Sequence, residues 1–307
     1  MIASDPQVFC MSATPFDSLG ALDEDALRAH LRRMVDAGVA VYLGSGGAGE
    51  GHALTLDELR RIYAIGVEEC KGRVLTYANP RESRTADSML ELAQAAIDAG
   101  VEVVQLYPVD AGHGMRPTLA EQEAYYRDLL DAIDHPIALS VHVAVGYVTP
   151  IPLLATLCNE YTHVVAVNLM GTPPSYLVEL ADVVRGGIDL YVPIASMVQG
   201  LALGARGCLA AEPNVVPRLC RALVDASIAR DLDAAGAHQA DILRFASIVN
   251  RWAPSTARWV KMALKVLDLP GGNGQLRKPY LLPPPEELKA MASAFDAMGL
   301  RQLERLA

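Results

Sequence analysis

The chain has 307 residues, with 26 Lys and Arg against 36 Asp and Glu, a net charge of −10 and 51% apolar residues. That length is ample for a large core and suits an α/β barrel with an appendage. The acidic balance, with no run of five basic residues, argues against nucleic acid or an anionic membrane surface as partner.

The N-terminal stretch MIASDPQVFCMSATPF lacks the basic and long apolar regions of a signal peptide. Cys10, Cys70, Cys158, Cys208 and Cys220 form no CxxC pair and read as free thiols. Both points lead to the expectation of a cytoplasmic protein. No uninterrupted apolar run is long enough to span a bilayer.

In chain order, QVFCMSA is the first strand candidate. DEDALRAHLRRMVDAG follows, with Leu27, Leu31, Met34 and Val35 on one face and a stop at Gly38. VAVYLG is the second strand and runs into the glycine-rich GSGGAGEGHA. Thr55 and Glu58 then stand at capping-box spacing, as do Thr118 and Glu121 further on. RVLTYA, VEVVQLY, HPIALSV, HVVAVN, DLYVPIA and GCLAA are the remaining strand candidates, and HVVAVN is expected to end on Asn168 before a Gly-Thr-Pro-Pro turn.

Eight strands, each followed by a helix, reach to about residue 230 and predict a (β/α)8 TIM barrel over residues 1–230. A doubly wound sheet is the rival, and no GxGxxG follows the first strand. Residues 231–307 turn purely helical and predict a small C-terminal helical region. In such a barrel the chemistry lies where strands end and the loops to the helices begin.

SATPFDSLGALDEDALRAHLRRMVDAGV, GSGGAGEGHALTLDE, RTADSMLELAQAAIDAGVEVV, GLALGARGCLAAEPNVVP and VKMALKVLDLPGGNGQLRKPYLLPPPEE occur in that order along the chain. Together they resemble the dihydrodipicolinate synthase and N-acetylneuraminate lyase family over nearly the whole sequence. The resemblance implies a barrel with a helical C-terminal region, usually a homotetramer, and lyase or aldolase chemistry on 2-oxo acids. It also implies a Schiff-base lysine ending the sixth strand, a proton-shuttling tyrosine ending the fifth, and two hydroxyl residues in the glycine-rich loop.

At those positions this chain has Asn168, Ser140, and Gly47 with Ala48. An amide nitrogen is conjugated with its carbonyl and cannot form an imine. The resemblance also aligns Tyr107, with a slip of one residue, to the family's intersubunit tyrosine. If Asn168 points inward as the family lysine does, strand alternation brings Val164 and Ala166 inward below it, and Ser140 brings His142.

His142 is then the candidate acid/base group, because imidazole titrates near neutrality; the plainer reading is a hydrogen-bonded histidine without chemistry. Asn168 is expected either to donate to a carbonyl or enolate oxygen or simply to be satisfied as a buried amide, and Ser140, the third catalytic candidate, would need an adjacent base to act as a nucleophile. The backbone of Gly47, Ala48 and Gly49, together with Gly46, is expected to hold a carboxylate or phosphate, while Glu50 orders the loop. His113 and Arg116, in DAGHGMRPT, could reach a bound anion, and Ser196 lines the same mouth. The histidines lack HxH or HExxH spacing, so no metal and no cofactor are expected.

Two functional readings follow. One is a divergent lyase or aldolase of a small oxo or hydroxy acid that works without a lysine Schiff base. The other is a non-catalytic barrel, a sensor or partner subunit, that binds a small carboxylic acid. Either is expected to form a homotetramer or homodimer and to bind neither nucleic acid nor membrane.

Overall fold

The computed structural model describes residues 6–112, 114–252 and 255–306. Eight parallel strands close into a barrel in sequence order: β1 (Gln7–Met11), β2 (Ala40–Leu43), β3 (Thr76–Ala78), β4 (Val103–Leu106), β5 (Ile137–His142), β6 (Val164–Met170), β7 (Asp189–Pro193) and β8 (Gly207–Ala210). A helix follows each strand: α1 (Glu24–Asp36), α2 (Leu56–Cys70), α3 (Ala86–Asp98), α4 (Leu119–Ala132), α5 (Ile151–Glu160), α6 (Pro174–Val183), α7 (Met197–Ala202) and α8 (Pro217–Ile228). The chain then adds α9 (Leu232–Val249), α10 (Thr256–Val266), α11 (Pro285–Met298) and α12 (Leu300–Glu304). This is the (β/α)8 barrel with a C-terminal helical region that the spacing of apolar segments predicts. No helix among the described residues is long and apolar enough to cross a membrane.

The helix starts follow from local chemistry. Thr55 and Thr118 accept from the backbone of Glu58 and Glu121, whose side chains bond back to the cap nitrogens, so both capping boxes form. The barrel interior is plugged by aromatic rings. Phe9 lies 5.0 Å from Tyr42, 4.5 Å from Tyr77 and 5.1 Å from Tyr191, with Ala138 and Ala166 filling the narrower gaps. Large residues opposite small ones let the interior close without voids.

The sixth strand departs from expectation in two ways. It runs on to Met170, so Asn168 lies inside the ladder, paired with Ser140 on β5 and Tyr191 on β7. The register also shifts between Ile137 and Ala138, which pair with Val164 and Ala166 and leave Val165 as an extra residue. That bulge breaks the two-residue alternation. Val164 therefore belongs to the outer core under the helices, while Val165 and Ala166 contact the interior. Alternation counted back from Asn168 correctly places Ala166 but not Val164.

Candidate functional site

Asn168 of β6, Gln105 of β4 and Asn79, just past β3, form a polar layer that joins the aromatic plug through the Tyr42 hydroxyl. Asn168 is wholly buried, and its Nδ2 donates to the Tyr42 hydroxyl at 2.6 Å and to Gln105 Oε1 at 2.5 Å. Gln105 Nε2 in turn donates to Asn79 Oδ1 at 2.9 Å. Both protons of the Asn168 amide are in use, so it offers an acceptor rather than the expected donor. Its Oδ1 is buried without a partner among the described residues. Ser140, paired with Asn168 across β5 and β6, is 1% exposed. Burial holds the Tyr42 phenol well above its ordinary range, so it stays protonated.

His142 and Tyr107 stand above this layer. Their rings meet edge to face at 5.8 Å. His142 Nδ1 accepts the Ala144 N–H at 3.2 Å. A neutral imidazole has one donor and one acceptor, so its proton sits on Nε2. Burial lowers the His142 pKa, and the charge of Glu82 works in the opposite direction. Burial, then the Glu82 charge, raise the Tyr107 phenol, while Gln105 and Asn79 bond to it. The Glu82 carboxylate also reaches the glycine-rich loop: a Cβ built on Gly46 would lie 3.1 Å from its Oε2.

The loop after β2 completes the mouth. The Gly49 N–H donates to Ser45 Oγ at 2.9 Å and the Glu50 N–H to the Gly47 carbonyl at 3.1 Å. The N–H groups of Gly46, Gly47 and Ala48 have no acceptor among the described residues, and those of the half-buried Gly46 and the exposed Gly47 are free to meet solvent or a ligand. Ala48 is buried in the core, and Gly49 is packed so closely that a Cβ would fall 2.8 Å from the Ser45 nitrogen. Glu50 closes the loop in a left-handed conformation (φ 54°). Its carboxylate meets Lys261 Nζ of α10 at 2.5 Å and accepts the Arg277 N–H at 2.8 Å. Lys261 also donates to the Gln275 carbonyl and lies 4.1 Å from the centre of the Phe16 ring.

The sequence pattern of the dihydrodipicolinate synthetase family matches residues 6–297. The chain belongs to this family. A curated relative named 4-hydroxy-tetrahydrodipicolinate synthase, from Corynebacterium aurimucosum, is 28% identical over 295 residues, 94% of this chain and 92% of its own. A protein of Pyrobaculum neutrophilum named uncharacterized DapA-like lyase is 29% identical over 221 residues, 69% of either chain. The crystal structure of dihydrodipicolinate synthase from Aquifex aeolicus superposes with a TM-score of 0.86 at 19% identity, covering 96% of this chain and 98% of that one.

In this member of the dihydrodipicolinate synthetase family, the sequence-expected residues fall into separate places. Asn168, Ser140, His142, Tyr107 and the Gly47–Gly49 loop surround the barrel mouth. Arg116 instead lines a surface hollow between the loop after β4 and α4, with Arg84, Asp110 and Tyr125. Ser196 opens on a small cleft between α6 and α7, beside Thr172 and Gln199, because a 3-10 turn after Pro193 carries it off the strand. His113 lies outside the described residues. Among the described residues, no three His, Cys, Asp or Glu side chains converge as metal ligands would. Sequence reasoning passed over Tyr42, Asn79, Gln105 and Glu82. Gln105 carried a signal, a lone amide two residues before Tyr107 in an apolar strand and hence on its face.

Proposed function

We propose that this lyase-family chain cleaves or forms carbon–carbon bonds in a small oxo or hydroxy acid without a covalent imine. The distribution of lysines carries this reading. The chain has five, and none lies on a barrel strand: Lys71 follows α2, Lys261 and Lys265 are on α10, Lys278 precedes Pro279, and Lys289 is on α11. Lys261, the one within the core, is held by Glu50 and is 1% exposed. The position where the resemblance implies a Schiff-base lysine is the amide Asn168.

In this reading the substrate carboxylate rests on the N–H groups of Gly46, Gly47 and Ala48. Glu82 takes the hydroxyl proton, the carbon–carbon bond breaks to release an aldehyde, and its electron pair forms an enolate that takes the proton back from Glu82 to give the 2-oxo acid. His142 Nε2–H stabilises the enolate oxygen, an electrostatic role that needs the imidazole neutral. Because the His142 pKa is lowered, that form prevails at pH 7, and activity falls as pH drops below the ordinary histidine range.

The test is to incubate the protein with pyruvate and borohydride, follow adducts by mass spectrometry, and assay aldol cleavage of 4-hydroxy-2-oxo acids. No reduced adduct is expected, and His142→Ala is expected to slow cleavage by about 10²- to 10⁴-fold. An adduct on any lysine would overturn the mechanism.

The second reading, an acid-binding barrel without turnover, draws on the burial of Asn168 and Ser140, which leaves the loop amides as the main contact. Binding without turnover across the panel would select it. Both readings include assembly with further copies of the chain, supported by the exposed apolar side chains of Met115, Val143 and Val148 on the loops after β4 and β5 and of Leu119 at the start of α4.

A further inference from the structure

On its outer side the glycine-rich loop borders a second hollow of about 360 Å³, formed by Gly46, Gly47, His52, Thr256, Arg258 and Tyr280. Three observations give it a chemical preference. First, the Arg258 guanidinium has no carboxylate within 4 Å among the described residues, so no ion pair cancels its charge. Arg258 Nε donates to the Leu281 carbonyl at 3.2 Å, which holds the group at the rim of the hollow. Second, the carboxylate beside it, Glu50, is already matched by Lys261 at 2.5 Å and by the Arg277 N–H, so it does not cancel that charge. Third, His52 donates Nδ1–H to the Gly46 carbonyl at 3.0 Å and stands edge-on to Tyr280 at 5.7 Å, so both rings border the hollow.

The loop leaves space at Gly47 on the side that faces α10. Gly47 is not among the glycines with positive φ, so its backbone does not demand glycine. The nearest atom to a Cβ built there, beyond its chain neighbours, is Thr256 Cβ at 4.0 Å. The missing side chain leaves a gap between the loop and α10. Gly46 and Gly47, which line the hollow, carry N–H groups without an acceptor among the described residues, and a Cβ on Gly46 would lie 3.1 Å from Glu82 Oε2.

We propose that this hollow binds a second anionic group, carboxylate or phosphate, of an elongated acid whose first carboxylate rests on the loop amides, with Arg258 as its counter-ion. The proposal rests on the proposed reading of the mouth as an acid site, and extends it to a substrate with two anionic ends. A guanidinium meets either anion through paired N–H donors.

The experiment is calorimetric titration of the full chain with pyruvate, 2-oxoglutarate and 3-phosphoglycerate, for the wild type, Arg258→Met and Arg258→Lys. At least one doubly anionic acid is expected to bind ten or more times tighter than pyruvate. Arg258→Met is expected to abolish that gain while leaving pyruvate binding in place, which also reports an intact fold, and Arg258→Lys to restore part of it. A gain with 2-oxoglutarate alone assigns a carboxylate site, and a gain with 3-phosphoglycerate alone a phosphate site. If pyruvate binds but neither longer acid gains, or if the gain survives Arg258→Met, the hollow is not an anion site and the reading of the mouth stands. If no acid binds at all, both fail.

Discussion

Asn168 uses both amide protons inside the barrel, one on Tyr42 and one on Gln105. An apolar residue of similar size would strand both acceptors in a buried layer. Each unsatisfied buried group costs about 1–3 kcal/mol. Asn168→Leu is therefore expected to lower the unfolding free energy by roughly 2–4 kcal/mol, read from urea denaturation. A loss under about 0.5 kcal/mol, the range of an ordinary surface change, would mean these bonds do not hold the layer together. That an amide stands where the resemblance implies a lysine is readable in the sequence. Its partners are not, because Tyr42 and Gln105 lie on β2 and β4, 126 and 63 residues away along the chain.

At the scale of elements, the C-terminal region grips the glycine-rich loop through a buried ion pair and the Arg277 N–H, both on Glu50. Lys261 on α10 and Glu50 at the end of the glycine-rich loop are each 1% exposed. Removing one partner of such a pair leaves an uncompensated buried charge, which costs about 3–5 kcal/mol, whereas replacing both by apolar residues is often close to neutral. Lys261→Met is expected to be strongly destabilising and Glu50→Leu/Lys261→Met largely to recover, measured as a double-mutant cycle by thermal unfolding. Additive losses would show that the two groups do not depend on each other. The helices themselves were legible, because Thr55 with Glu58 and Thr118 with Glu121 are local signals. The bulge at Val165 was not, because it is defined only against the partner strand β5.

At the scale of the whole molecule, acid stability turns on a buried histidine. His30 of α1 is wholly buried, with Nε2 3.0 Å from Asn214 Oδ1, in the turn after β8. Burial, then the Arg33 charge, push its pKa down from 6.5 to about 3. The unfolded chain thus takes up a proton near pH 6.5 that the folded chain refuses until about pH 3. The contribution is fully present above pH 6.5 and declines by about 1.4 kcal/mol per pH unit as the pH falls between those values. His30→Gln is expected to remove one proton's worth of that slope between pH 6 and 4, measured by denaturation at a series of pH values. An unchanged slope would assign the acid sensitivity to other groups, among them His142 and His163, whose pKa values burial lowers, and Glu69, whose pKa Arg32 and Arg28 lower.

The sequence alone determined the order and type of the elements, the glycine-rich loop, and the lack of a lysine on the strands. Helical and strand periodicity and residue identity are local properties that need no partner to be read. The tertiary structure alone decided that the Asn168 amide is occupied, that Arg116 and Ser196 stand apart from the mouth, and that Lys261 secures the loop. Closing the barrel brings β2, β4 and β6 within hydrogen-bond reach, and packing α10 against it brings a buried amine to a buried carboxylate. Those meetings depend on distances across the fold, which no spacing along the chain encodes.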